Sequence, residues 1–191
     1  MVLAALTFSG SALAANTPEA PAPGEAQAAP KSKAAQLDDL FLKLQTEKDE
    51  TAAKAAETAI LTLWLESGSD TVDLLMGWSM QAMAAKDYGL ALDYLDRITV
   101  LKPDYVEGWN KRATVYFLLQ DYAKSIADIQ KTLALEPRHF GALAGFGVIL
   151  DSLGDKRRAI DAYKKALAAD PRLDEVRKAL EKLEKETERD I

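Results

Sequence analysis

Sliding this chain by 34 residues lays it on itself twice, and that period constrains its fold more than any other feature. Pro103, Pro137 and Pro171 are 34 residues apart, and so are Asp87, Asp121 and Asp155. A period of this length marks one supersecondary unit that cannot bury its apolar face alone and must stack on copies of itself. The unit is clearest from Val106 to His139. Its first helix runs from Val106 and Trp109 to Tyr116, the chain turns at Gln120-Asp121, and a second amphipathic helix carries Ile126, Ile129 and Leu133. The aspartate is placed to cap that second helix, and the proline ends it by removing a donor and restricting the residue before it.

Other registers recur with the same spacing. Ser79, Ala113 and Gly147 share one, and Ala91, Ser125 and Ala159 share another; small residues belong where two helix backbones approach closely. Leu75, Trp109 and Leu143 share a third, and Leu95, Ile129 and Tyr163 a fourth. On these residues the chain resembles the tetratricopeptide repeat, whose pattern is W-x2-L-G-x2-Y, then A-x3-F, then P. Residues 72–105 depart from the pattern with Ala82 in place of tyrosine, and residues 106–139 depart with Arg112 in place of leucine. Residues 140–173 keep Gly147, Gly154, Ala159, Tyr163 and Pro171. The resemblance implies an all-α solenoid of helix-turn-helix units stacked as a right-handed superhelix, acting by binding other proteins.

Outside the three units the chain divides further. Residues 37–71 read as a helix pair, with Leu37, Leu40, Phe41 and Leu44 on one face of the first helix and Ala53, Ala56, Ile60, Leu63 and Trp64 along the second. It spans a repeat's length without the proline or the small-residue registers, and is expected to be a degenerate first repeat capping the stack. Residues 174–191 continue a helix whose stripe of Leu173, Val176, Leu180 and Leu183 caps the other end. Residues 1–14 carry no charge and end in Ala12-Leu13-Ala14, as a signal peptide does before its cleavage site. No lysine or arginine precedes the apolar run, so an internal Met1 or an alanine-rich tail is the rival expectation. Residues 15–36 hold Pro18, Pro21, Pro23 and Pro30 among alanines and are expected to be a disordered linker.

Charge and composition exclude several roles. The net charge of −6 disfavours a general nucleic-acid binder, and Lys156-Arg157-Arg158 reads as a solvated helix face. No apolar stretch reaches membrane-spanning length, so stable membrane insertion is not expected. The absence of cysteine removes disulfides and thiolate metal sites and is compatible with export. His139 is the single histidine. It is expected in an exposed inter-repeat turn, without the base, nucleophile or second metal ligand that chemistry needs. Gly141, Gly145 and Gly147 lie on a helix and lack the lysine of a phosphate loop, so they read as packing residues. No catalytic, cofactor-binding or metal site is therefore expected.

The remaining role is binding. In the tetratricopeptide-repeat family the first helix of each unit lines a concave groove. Carried onto this chain, the groove positions include Asp73, Met76, Met80 and Met83, then Glu107, Asn110, Thr114 and Phe117, then Val148 and Asp151. Met76, Met80 and Met83 share a helical stripe, with core filling as their rival role. Some members clamp a C-terminal carboxylate with lysine, asparagine and arginine. Here Met76, Met80, Gly141 and Gly145 stand at most of those places, so recognition of a chaperone's acidic C-terminus is not expected. An apolar or basic peptide fits better. The expected role is a non-catalytic adaptor or scaffold in the bacterial periplasm, or in the cytoplasm if residues 1–14 are not a signal. Self-association of the repeats is the alternative.

Overall fold

The computed structural model describes residues 31–189. Among them are nine α-helices and no strand: α1 (Lys33–Thr46), α2 (Glu50–Leu65), α3 (Asp70–Ala84), α4 (Tyr88–Leu101), α5 (Val106–Leu118), α6 (Tyr122–Leu135), α7 (Phe140–Ser152), α8 (Lys156–Ala169) and α9 (Asp174–Arg189). The expected signal segment, and residues 15–30 of the expected linker, lie outside the described residues. The last residues of that linker are helical instead. The Ser32 side chain accepts a hydrogen bond from the Ala35 amide and starts α1 at Lys33, four residues before the first apolar position.

The same turn is built three times. Lys86, Gln120 and Gly154 occupy one register and all have positive φ. At that point the Asp87, Asp121 and Asp155 amides donate back to the Ala82, Tyr116 and Leu150 carbonyls, closing the first helix of each pair. The three aspartate side chains then accept from the Leu90, Lys124 and Arg158 amides and open the second helix. One residue thus ends one helix and caps the next in all three pairs.

Within each pair the small registers meet. Ser79, Ala113, Ala91, Ser125 and Ala159 are buried, and Ser125 Oγ donates to the Ala113 carbonyl across the crossing. In the third pair Tyr163 is larger than its counterparts Leu95 and Ile129, and Gly147 makes room for it: a Cβ there would lie 2.4 Å from Tyr163 Cε1. Between pairs, Arg112 holds Asp128 of its own unit with two donors and reaches Asp96 and Thr99 of the preceding unit with a third nitrogen. Arginine thus serves where the family has leucine, because its fork bridges two neighbouring second helices. At the far end Leu180 and Leu183 of α9 join Leu150, Ala159, Ala162 and Tyr163 in one cluster.

The α1–α2 hairpin lies elsewhere than the first-repeat expectation placed it. Leu37, Phe41, Leu44, Ala56, Ile60 and Trp64 form one cluster with Phe140 and Ala169, from the start of α7 and the end of α8. Polar contacts follow the same line. Tyr105 Oη donates to the Leu65 carbonyl, Arg138 pairs with Asp38, and the Arg172 guanidinium donates to the Leu44 and Glu47 carbonyls. Tyr105, Arg138, His139, Arg172 and Leu173 all belong to the loops that join one unit to the next. The hairpin therefore clasps the inter-repeat edge, because that edge carries aromatic side chains and cations that cover its apolar face and its open carbonyls.

Two glycines of α7 are expected to respond to alanine with opposite signs. Gly147→Ala forces its Cβ into the Tyr163 ring and is expected to cost about 1–3 kcal/mol. Gly145 has no neighbouring atom within 4 Å of a Cβ, so Gly145→Ala is expected to stabilise by about 0.5–1 kcal/mol through helix propensity. Urea unfolding followed by circular dichroism measures both.

Candidate functional site: the groove between α5 and α7

Helical spacing brings Asn110, Thr114 and Phe117 onto one side of α5, and Gly141 and Gly145 onto the facing side of α7. Between them is a cavity of about 130 Å³ whose floor is Ala113, Ser125, Ile129, Ala142 and Ile149. Among the described residues no charged side chain lines it. The glycines were expected to serve helix packing, and Gly147 does. The Cβ of a residue at Gly145 would meet open space, and at Gly141 it would meet only the His139 ring, at 3.5 Å. Both therefore contribute absent volume rather than close contact. Glycine in a helix interior is unfavourable by about 0.5–1 kcal/mol relative to alanine, so the opening is made against the local preference of the helix.

The side of the groove is set by a buried polar knot. Glu107 is 3% exposed and His139 is 2% exposed, and His139 Nε2 lies 3.0 Å from Glu107 Oε1. His139 Nδ1 accepts from the Ala142 amide and caps α7, so the ring carries its proton on Nε2 and donates it to the carboxylate. The Trp64 ring stacks on the imidazole at 4.1 Å with a 10° tilt. Glu107 Oε2 accepts from Asn110 Nδ2 and lies 3.5 Å from Lys111 Nζ. Burial opposes the charge on Glu107, but the His139 hydrogen bond and Lys111, with Asn110, outweigh it and lower the pKa to about 2. The knot orients Asn110 on the groove wall and neutralises the nearest cation.

Two expectations are corrected here. His139 is not an exposed turn residue. It is a buried cap with both ring nitrogens engaged, because Trp64 of the hairpin covers it. Glu107, expected on the groove, is turned into the knot instead, where its carboxylate is held by His139, Asn110 and Lys111.

The methionine stripe divides. Met76 is buried in the core with Val72, Leu75 and Leu95, so it is corrected from groove to core, while Met83 packs half-buried against the same cluster and Met80 is exposed. Asp73 accepts from the Ser67 amide at the entry to α3. Thr114 Oγ1 donates to the Asn110 carbonyl, and Phe117 packs on Tyr122. Val148 is exposed and Asp151 half-buried. The cavity gathers Asn110, Thr114 and Phe117 and not the other groove candidates. Ser125, Ile129 and Ile149 were missed as floor residues. Gly141 and Gly145 were both placed on the groove by the family register, and of the two only Gly145 has open space where a Cβ would lie.

Fold and site together define a helical-repeat module with an uncharged cavity between α5 and α7. The chain belongs to the tetratricopeptide-repeat proteins. The Tetratricopeptide repeat family pattern matches residues 106–139 and 141–173. A TPR repeat-containing protein of Rhizobium etli is 42% identical over 142 residues, which are 74% of this chain and 68% of that protein. A relative in Saccharomyces cerevisiae, small glutamine-rich tetratricopeptide repeat-containing protein 2, is 32% identical over 46% of this chain and only 25% of its own length. Among solved structures, the first TPR of Spaghetti (RPAP3) bound to the HSP90 peptide SRMEEVD has a TM-score of 0.58 at 21% identity, covering 61% of this chain and 92% of that one. That likeness shows the fold.

The depressed pKa of Glu107 has a measurable sign. The ionised form is held more tightly in the folded chain, so its contribution is complete above the ordinary value of 4.5 and is lost as pH falls towards about 2. Glu107→Gln is expected to be less stable than the parent near neutrality and to lose less stability on acidification through that window. Urea midpoints at about pH 6 and about pH 3 measure this.

Proposed function

We propose that this chain is a non-catalytic adaptor that captures an uncharged segment of a partner protein by one aliphatic side chain in the pocket between α5 and α7. The observation that carries this reading is the uncharged cavity opened by Gly141 and Gly145. Its size suits a leucine, isoleucine or methionine side chain, and the Asn110 and Thr114 side chains on its wall are suited to backbone groups of the bound segment. Burying one such side chain contributes about 1.5–3 kcal/mol, so the pocket selects and the wider groove adds affinity. Exposed Met80, Leu118 and Val148 extend the apolar surface along the concave positions. Peptide binding by the RPAP3 domain of the same fold is consistent with this use.

The site of action we propose is the bacterial cell envelope. The uncharged run of residues 1–14 ending in Ala12-Leu13-Ala14 supports export. Among the described residues no helix is long and apolar enough to cross a membrane.

The pocket is tested with Gly145→Phe, which fills it from a position where a side chain meets no neighbour. Helicity should be unchanged, and capture of partners crosslinked in intact cells should fall about tenfold to a hundredfold. Undiminished capture by the folded variant would contradict the reading. Mass spectrometry of the protein from fractionated cells tests export: a mature N-terminus at Ala15 is expected, and retention of Met1 in a cytosolic fraction would contradict it.

A further inference from the structure

The repeat period shows that, among the described residues, one stacking face of the solenoid has no helix packed on it. The third place of each unit is Leu74, Gly108 and Ala142; the seventh is Trp78, Arg112 and Phe146; the tenth is Gln81, Val115 and Ile149. In the second and third units these places face the preceding unit. A Cβ at Gly108 would lie 2.7 Å from Ile98 of α4. Arg112 bonds Asp96 and Thr99 of α4. Phe146 packs on a cluster that includes Ile129 of α6, and Val115 and Ile149 are fully buried.

In the first unit the same places look outward, because the α1–α2 hairpin has gone to the inter-repeat edge. Leu74 is 53% exposed and Trp78 is 42% exposed. Trp78 keeps the contact within its own unit, with its ring 5.6 Å from Tyr94, but among the described residues no preceding second helix lies against its other side. The third place also holds leucine where both stacked units hold glycine or alanine. An ordinary repeat helix approaching as α4 approaches α5 would collide with it. The face is shaped for a helix that sits farther out.

We propose that the occupant is α3 of a second copy, packed antiparallel about a two-fold axis near Trp78. Three features favour it. Asp70 and Lys86 lie eight residues either side of Trp78, both exposed. An antiparallel pair therefore sets the acidic first turn of each helix, with Asp70 and Asp73, against the partner's C-terminal end and Lys86. Gly77, at the centre of the exposed stripe, has no atom within 4 Å of a Cβ and lets the helices approach there. The opposite end of the stack is closed by α9, whose outer face carries Glu181, Lys182, Lys185 and Glu188 in solvent. Head-to-tail addition would meet charge rather than an apolar face, so association stops at two. The cavity between α5 and α7 lies outside this contact.

Sedimentation velocity of the full chain across a concentration series is expected to show a monomer–dimer equilibrium and nothing larger. Leu74→Asp should weaken the dimer at least about tenfold with helicity unchanged. Asp70→Lys and Lys86→Glu should each weaken it, and the double variant Asp70→Lys/Lys86→Glu should restore it, which a purely structural role for either residue would not produce. A monomer at every concentration, growth beyond two copies, a dimer indifferent to Leu74→Asp, or no restoration in the double variant would each overturn the proposal.

Discussion

The imidazole of His139 is where three parts of the chain meet. It caps α7 through Nδ1, donates to Glu107 of α5 through Nε2, and is covered by Trp64 of α2. Each contact satisfies a different requirement: a free helix amide, a buried carboxylate, and an aromatic face that would otherwise be wet. Removing one leaves another uncompensated, since a buried carboxylate without its donor is costly. The relation between units, the orientation of Asn110 on the groove wall and the docking of the hairpin all depend on this residue. Its chemistry is spent on structure, which is why the only histidine of the chain offers no free nitrogen.

Where the hairpin docks decides which surfaces the solenoid presents. A helix pair stacked in sequence order would cover α3 and leave the inter-repeat loops in water. Here Arg138, Arg172 and Tyr105 turn those loops into a surface that receives α1 and α2, supplying ion pairing to Asp38 and hydrogen bonds to the Leu44, Glu47 and Leu65 carbonyls. The result, among the described residues, is a solenoid closed at one end by α9 and clasped along one edge, with Leu74 and Trp78 of α3 left exposed. The uncharged cavity and the exposed side of α3 are different surfaces, each marked by residues that break the rule of their own register: a glycine at 145 with nothing within 4 Å of a Cβ, and a leucine at 74 where the stacked units have glycine or alanine.

Much of the fold was legible because the physical devices are local and repeat. A capping aspartate, a terminating proline and paired small residues at a fixed period specify the helices, the turns and the crossings, and α9 follows from its apolar stripe. The hairpin's position was not legible, since adjacency in the chain argues for stacking and only the three-dimensional edge overrides it. A clue was present at the last place of each unit, where Tyr105, His139 and Leu173 repeat ring or aliphatic bulk, although only His139 was expected in an exposed turn. The groove was legible in part. Asn110, Thr114 and Phe117 followed from the family register, whereas Met76 and Glu107 were drawn into the core and the knot by partners that the register does not describe.

The position of the hairpin along the inter-repeat edge is tested most directly by nuclear Overhauser effects between the Trp64 indole and the His139 imidazole. The chain has one histidine, so its ring protons are assigned without ambiguity, and ring centroids 4.1 Å apart place them within range of the indole. Strong cross-peaks between the two rings are predicted. Their absence, together with cross-peaks from Trp64 to Leu74 or Trp78 of α3, would show the hairpin stacked as a first repeat and would contradict the account.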